Sequence, residues 1–144
     1  MSTILSEARQ AGVPGLEELV SSLVTRARAA QRHYASYTQE QVDEVVTAAG
    51  WAIVEPDHNR LLAEMAVATT GLGNVADKIT KNRRKTMGLL RDLEGALSVG
   101  VIAEDKAKGL VEIARPVGVV GAVVPSTNPA ATPANNIINA LKGR

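Results

Sequence analysis

The sequence predicts an α/β fold in which several helices precede a short antiparallel β excursion and a single strand-helix unit. Three observations indicate this order. Apolar residues recur at intervals of three and four through the first two thirds of the chain, as in amphipathic helices. Two short β-prone runs follow, and a glycine-punctuated apolar run over residues 118–124 then meets a proline and a polar turn. A doubly wound sheet needs several more strand-helix units, so the β part is incomplete.

The composition excludes several classes of function. With 16 basic and 15 acidic residues the formal net charge is +1, which gives no electrostatic reason to expect binding to nucleic acid or to an anionic membrane. The 144 residues include no cysteine, so the chain itself holds no disulfide, thiolate metal site or cysteine nucleophile. No apolar run approaches the roughly 18 to 20 residues that span a bilayer, and a cytoplasmic location is the default expectation.

Residues 1–15 are expected to form an amino-terminal extension, either flexible or a short helix over Thr3–Gln10 that ends at the glycine-proline break of residues 12–15. Such a helix and linker could also act as a detachable docking peptide. A helical part follows over residues 16–96. Its first helix runs from Leu16 to about Tyr34, because apolar residues repeat along one face of that stretch.

Capping residues mark three further helices. A side-chain oxygen at the first position satisfies a free backbone N–H, and a glycine after the last turn adopts the left-handed conformation that ends a helix. The predicted helices begin at the Thr38-Gln39-Glu40-Gln41 capping box, at an Asp57 N-cap and at an Asn74 N-cap, and end near Pro56, at the Gly71-Leu72-Gly73 pair and near Leu93.

The helix that begins at the Asn74 N-cap carries the only dense basic run of the sequence. A nucleic-acid patch would need aromatic residues among the cations to stack bases, and none is present. A solvated helix face is therefore the expected role of these residues: Lys78, Lys81, Arg83, Arg84 and Lys85.

The last part, residues 97–144, changes to a β pattern. Runs at 98–102 and 110–114 predict two antiparallel strands separated by a charged turn. The apolar run 118–124 predicts a buried strand that Pro125 ends, since proline has no N–H for the ladder. Pro129 suits the first turn of the helix that follows.

The polar turn between that strand and that helix is the candidate site, because ligands of α/β folds bind at the carboxyl ends of strands. Two roles fit Asn128 in this turn. Asparagine is favoured at helix N-caps and in turns, where its side chain bonds nearby backbone. Its amide could instead donate a hydrogen bond to a developing oxyanion. Spacing alone does not choose between the two roles.

These residues resemble the first nucleotide-binding segment of the aldehyde dehydrogenase superfamily. The family commonly shows Pro-Trp-Asn-Phe-Pro at the turn, and the Ser-Thr-Asn-Pro version is similar to the CoA-acylating branch, which includes acetaldehyde and sulfoacetaldehyde dehydrogenases. The resemblance covers most of the chain after about Ala27. Its motifs are Arg115-Pro116-Val117-Gly118-Val119-Val120, Val124-Pro125-Ser126-Thr127-Asn128-Pro129-Ala130-Ala131-Thr132 and Ala140-Leu141-Lys142-Gly143-Arg144, with further similarity at 66–78 and 97–102.

The resemblance implies a Rossmann-like domain and a reaction of aldehyde, CoA and NAD or NADP that passes through a cysteine thioester. It assigns Asn128 to the oxyanion hole, and it assigns Val124, Pro125, Ser126 and Thr127 to the edge that contacts the cofactor. The family's nucleophilic cysteine has no counterpart among the 144 residues, so the chain is expected to be inactive by itself. Asn136 and the Ala68-Thr69-Thr70-Gly71 stretch also differ from the usual acylating-branch pattern.

The alternative class is a non-catalytic helical module that assembles through its amphipathic helices. A truncated sheet leaves an unpaired strand edge and apolar helix faces, which favour association, and a homo-oligomer is expected in either class. His33 and His58 lie far apart and lack ligands at metal-binding spacing, so no metal site is predicted.

Overall fold

The computed structural model describes residues 15–144, and over this range the mixed α/β class is confirmed. The elements are α1 (Leu16–Tyr34), α2 (Gln39–Val54), α3 (Pro56–Thr70), α4 (Val75–Leu93), β1 (Gly100–Asp105), β2 (Leu110–Ala114) and α5 (Ala131–Gly143). The expected short helix at Thr3–Gln10 and most of the break after it lie outside the described residues. Among the helices of residues 15–144, none has the length and apolar character needed to cross a bilayer.

The helix ends confirm most of the capping predictions. Thr38 Oγ1 accepts the Gln41 N–H at 3.3 Å, and the Thr38 N–H donates to Gln41 Oε1 at 3.0 Å, which completes the capping box of α2. Asn74 Oδ1 accepts the Asp77 N–H at 2.9 Å at the start of α4. Gly71, with φ of 66°, ends α3 in the left-handed conformation that disfavours any side chain.

The prediction that Asp57 caps α3 is wrong. Pro56 occupies the first helical position, where its fixed φ and missing N–H cost nothing, and the cap therefore falls on the residue before it. The Glu55 carboxylate accepts the His58 N–H at 2.8 Å. This backbone hydrogen bond is the main reason that the pKa of Glu55 lies below its usual value.

The core forms where α2 crosses α4 and α5. Val42 and Val46 of α2 and Ile138 of α5 are buried at its centre. A Cβ atom at Gly50 would lie 2.5 Å from Leu90 Cδ1, so the absence of a side chain there lets α2 and α4 approach closely. The remaining shell consists of half-buried apolar and aromatic side chains: Tyr34, Tyr37, Ala49, Leu89, Leu90, Leu93, Val99 and Leu141.

The two predicted strands form an exposed antiparallel ribbon. Gly100 pairs with Ala114 and Asp105 pairs with Leu110, with an irregularity between Val101 and Ala103. The second strand matches its predicted range, whereas the first begins two residues later and ends three residues later than expected. The ribbon leads directly into the segment that precedes the candidate site.

Residues 118–124 do not form the buried strand that their composition predicts. Over residues 15–144 they pair with no other strand, and Val123 is 95% exposed. A β-branched run fits a pleated surface, but a ladder requires a neighbouring strand to take up its N–H and C=O groups. The start of the segment is held instead by α5, since the Val117 N–H donates to the Gly143 carbonyl at 3.0 Å.

Candidate active-site turn

The candidate site is the turn that joins the exposed segment to α5. The Asn128 N–H donates to the Pro125 carbonyl at 3.3 Å, which closes a tight turn. The Asn128 carbonyl then accepts the Thr132 N–H at 3.3 Å, and α5 begins at Ala131, two residues after Pro129. The backbone of Asn128 is therefore anchored on both sides.

The side chain of Asn128 is not a helix cap. The N-cap position of α5 is Ala130, and no side chain makes a capping hydrogen bond there. Asn128 Oδ1 instead accepts a hydrogen bond from the Nζ atom of Lys81, which lies in the middle of α4. Of the two roles that the sequence leaves open, the structure contradicts the cap for this side chain.

The structure corrects the solvated-face prediction for two of the five basic residues of α4. Arg83, Arg84 and Lys85 are exposed as expected. Lys81 is half-buried against the turn, and Lys78 is only 6% exposed. Residues three and four apart lie on the same helix face, so the spacing of the five basic residues does not by itself separate Lys78 and Lys81 from the others.

A buried amide network fixes α4 against α3. The Asn82 side chain donates to Asn59 Oδ1 at 3.0 Å, and Asn59 in turn donates to the Ile79 carbonyl at 3.0 Å. Both asparagines are almost fully buried, at 2% and 3% exposure. Because satisfied buried amides are costly to separate, this network holds the face of α4 that carries Lys81 in one orientation.

Charged and phenolic groups hold the opposite end of α5. Lys142 is buried and its Nζ atom lies 2.5 Å from Asp43 Oδ1 of α2. The Tyr34 hydroxyl donates to the Leu141 carbonyl at 2.9 Å. Burial raises the pKa of Tyr34, which further favours the protonated phenol that donates this hydrogen bond.

The terminal arginine adds a third contact at that end of the helix. Arg144 is 7% exposed and donates to the Ala35 carbonyl at 2.9 Å and to the Ser98 carbonyl at 3.1 Å. These contacts fix the carboxyl end of α5 against α1, α2 and the segment before β1.

The four residues assigned to the cofactor edge lie on the exposed side of the turn. Val124 is 41% exposed, and Pro125, Ser126 and Thr127 are also exposed. Thr127 lines a cleft of about 320 Å³ that also includes Lys78 and Lys81. The structure therefore places Thr127 and Asn128 beside Lys81, while the other three remain open to a ligand.

The two histidines have structural neighbours. His33 packs edge-on against Tyr37 with ring centroids 5.6 Å apart, and His58 Nδ1 lies 3.1 Å from the Ala52 carbonyl oxygen. Across residues 15–144, no three histidine, cysteine or acidic side chains come together as a metal site would require.

No protein-family model matches the chain. Among curated proteins, the sulfoacetaldehyde dehydrogenase (acylating) of Cupriavidus necator is 68% identical over 125 residues, which are 87% of this chain and 25% of the relative. The sulfoacetaldehyde dehydrogenase (acylating) of Bilophila wadsworthia is 47% identical over 87% of this chain and 27% of its own length. The bifunctional aldehyde-alcohol dehydrogenase of Escherichia coli is 40% identical over 87% of the chain and 14% of its own length.

A solved structure shares the fold as well as the sequence. The acetylating aldehyde dehydrogenase from Geobacillus thermoglucosidasius superposes with a TM-score of 0.84 at 35% identity, over 88% of this chain and 27% of that protein. The chain thus spans about a quarter of the length of the acylating proteins that it matches, and it matches their amino-terminal portion.

Proposed function

We propose that this chain, which belongs to the CoA-acylating branch of the aldehyde dehydrogenase superfamily, forms the amino-terminal portion of an enzyme that converts an aldehyde and CoA into an acyl-CoA with reduction of NAD or NADP. The observation that carries this proposal is the Asn128 side chain. It makes no capping bond, its Oδ1 atom is occupied by Lys81, and its Nδ2 group donates to no atom of residues 15–144.

The proposed role of Asn128 follows from the charge that develops in the reaction. When a thiolate adds to an aldehyde, its sulfur forms a bond to the carbonyl carbon and the C=O electron pair moves to oxygen. A fixed amide N–H directed at that oxygen stabilises the negative charge without reorganisation. In the complete enzyme, a bound NAD or NADP would supply the hydride acceptor and CoA the acyl acceptor. Asn128 Nδ2 supplies the donor in this scheme.

The exposed residues Val124 to Thr127 fit one wall of a cofactor site. They carry no charge, and the turn presents two hydroxyl groups beside apolar surface. Such a surface suits the flat face of a nicotinamide ring, which needs apolar contact and a few hydrogen bonds. We assign the nicotinamide side of the cofactor to this edge.

Catalysis in this proposal requires residues beyond the 144. The chain has no cysteine, so it lacks the sulfur that must attack the aldehyde. We expect the chain alone to have no dehydrogenase activity. Activity is expected in a chimera in which this chain replaces the matching amino-terminal segment of the Cupriavidus necator protein, which is 68% identical to it.

The test of the site is the Asn128→Ala substitution in that chimera. Loss of one oxyanion donor typically lowers turnover by about 10² to 10³-fold, so kcat should fall by that order. The Asn128 side chain caps no helix, so the melting temperature should change little. The value of kcat is measured from steady-state NAD(P)H formation with sulfoacetaldehyde or acetaldehyde and CoA. The melting temperature is measured by thermal unfolding.

Thr38→Ala is the matched control for this experiment. Thr38 caps α2 on the exposed surface, far from the turn in the chain, so its loss should lower stability and leave kcat unchanged. Wild-type turnover in Asn128→Ala would contradict the assignment of the oxyanion donor.

A second candidate function, a non-catalytic assembly module, has one observation in its favour. The apolar stripe of α1 is exposed, with Leu19 at 57% and Leu23 at 51%. Exposed stripes of this kind favour association with another helix. Turnover by the chimera separates the two candidates, because a module without a catalytic role would not support acyl-CoA formation.

A further inference from the structure

We infer that Lys81 is a positioning residue for Asn128: its ammonium group holds the amide oxygen, so that the Nδ2 group is turned towards the reacting carbonyl oxygen and is polarised as a donor. This inference rests on the proposed function, since it explains how the oxyanion donor is oriented. It assigns a role to a residue of the helical part, 47 positions before Asn128 in the chain.

The donor and acceptor chemistry of the two groups determines the orientation. An asparagine amide has one oxygen that accepts and one NH₂ group that donates, and the two ends are similar in shape. An ammonium group has only donors, so the amide end that contacts Lys81 must be the oxygen. The NH₂ group then points away from Lys81, which is the arrangement that an oxyanion requires.

The charge of Lys81 adds to this geometric effect. Over residues 15–144 its Nζ atom has no carboxylate within ion-pair distance. Lys81 is half-buried, so its field is screened less than that of a surface lysine. A positive charge at the amide oxygen draws electron density from the amide nitrogen, and the N–H groups become stronger donors.

Two rigid parts of the structure hold Lys81 and Asn128 in a fixed position relative to each other. The Asn59–Asn82 network fixes the face of α4 from which Lys81 projects. The turn that carries Asn128 is closed by its own backbone hydrogen bonds to Pro125 and Thr132. A catalytic group held by a partner on a rigid helix loses little freedom when the charge develops, which is the condition for effective stabilisation of an oxyanion.

The experiment is a double-mutant cycle on Lys81 and Asn128 in the chimera. Lys81→Met should lower kcat about 10- to 100-fold, the usual range for partners that orient a functional group, with little change in KM for the aldehyde. In the Asn128→Ala background the same Lys81→Met substitution should change kcat less than about twofold, because no amide remains to be positioned. Lys85→Met, an exposed lysine one turn further along α4, is the matched control and should leave kcat unchanged.

Each outcome of the cycle either supports or contradicts the positioning role of Lys81. Equal losses from Lys81→Met in both backgrounds would show that Lys81 acts independently of Asn128 and would overturn the inference, as would wild-type kcat in Lys81→Met alone. A loss in Asn128→Ala with none in Lys81→Met would leave the proposed function standing and reject only the positioning role. If Lys81→Met gives no cooperative melt, the same cycle is measured with Lys81→Gln, which keeps a donor but not the charge and should retain more activity than Asn128→Ala.

Discussion

The polar side chains of α4 differ in role although they are neighbours in the chain. Arg83, Arg84 and Lys85 contact solvent, whereas Lys78, Lys81 and Asn82 face the rest of the protein. The difference matters for Asn128, since an amide without an anchored oxygen could rotate and present either end to a ligand. Lys81 removes that freedom.

Thr86 offers a stability test on the same helix. It is fully buried, and among the described residues its hydroxyl has no hydrogen-bond partner. Valine has nearly the same shape and no polar group to leave unsatisfied, so Thr86→Val should raise the free energy of unfolding by about 1 kcal/mol. The rise is measured as an increase in melting temperature of the chimera.

Thr47→Val is the control for that change, because Thr47 is an exposed helical threonine whose hydroxyl bonds the Asp43 carbonyl at 2.8 Å. It should change the melting temperature much less. A lower melting temperature in Thr86→Val would show that the hydroxyl has a partner that stabilises the fold.

At the scale of elements, the ends of the helices depend on local chemistry. The capping box of α2 and the Asn74 cap of α4 each involve residues three apart, so the sequence alone is enough to identify them. Helix α5 depends instead on distant groups, since Asp43, Tyr34 and residues near Ser98 hold its last turn. The stability of α5 therefore depends on its contacts with the rest of the folded protein and not on the sequence of the helix alone.

Thr38→Ala is the prediction for the capping box. It removes the oxygen that accepts the Gln41 N–H, and loss of such a cap typically lowers the free energy of unfolding by about 1 kcal/mol. The melting temperature of the chimera should fall, and hydrogen exchange should quicken in the first turn of α2. Unchanged hydrogen exchange in this turn would show that packing, and not the cap, stabilises the start of α2.

Two expectations failed for physical reasons that the sequence does not contain. Residues 118–124 have the composition of a buried strand, but strand formation depends on a neighbour, and the ribbon of β1 and β2 pairs only with itself. A dense basic run predicts a solvated Lys81, whereas its contact with Asn128 joins residues 47 positions apart in the sequence. Local sequence patterns are enough to predict the helices, whereas the arrangement of the candidate site depends on contacts between residues far apart in the chain.

At the scale of the whole molecule, many large apolar side chains of residues 15–144 are exposed. They include the stripe of α1 and the segment before the turn, where Val117 is 73% and Val123 is 95% exposed. The chain matches about a quarter of the length of its acylating relatives.

One measurement tests directly the proposal that the chain supplies an oxyanion donor and a cofactor wall to an enzyme whose nucleophile lies elsewhere. The measurement is the rate of NAD(P)H formation from sulfoacetaldehyde or acetaldehyde and CoA, compared between the isolated 144-residue chain and the chimera with the remainder of the Cupriavidus necator protein. We predict sustained turnover by the chimera and none by the isolated chain. Turnover by the isolated chain, or a chimera that melts cooperatively yet forms no NAD(P)H, would contradict the proposal.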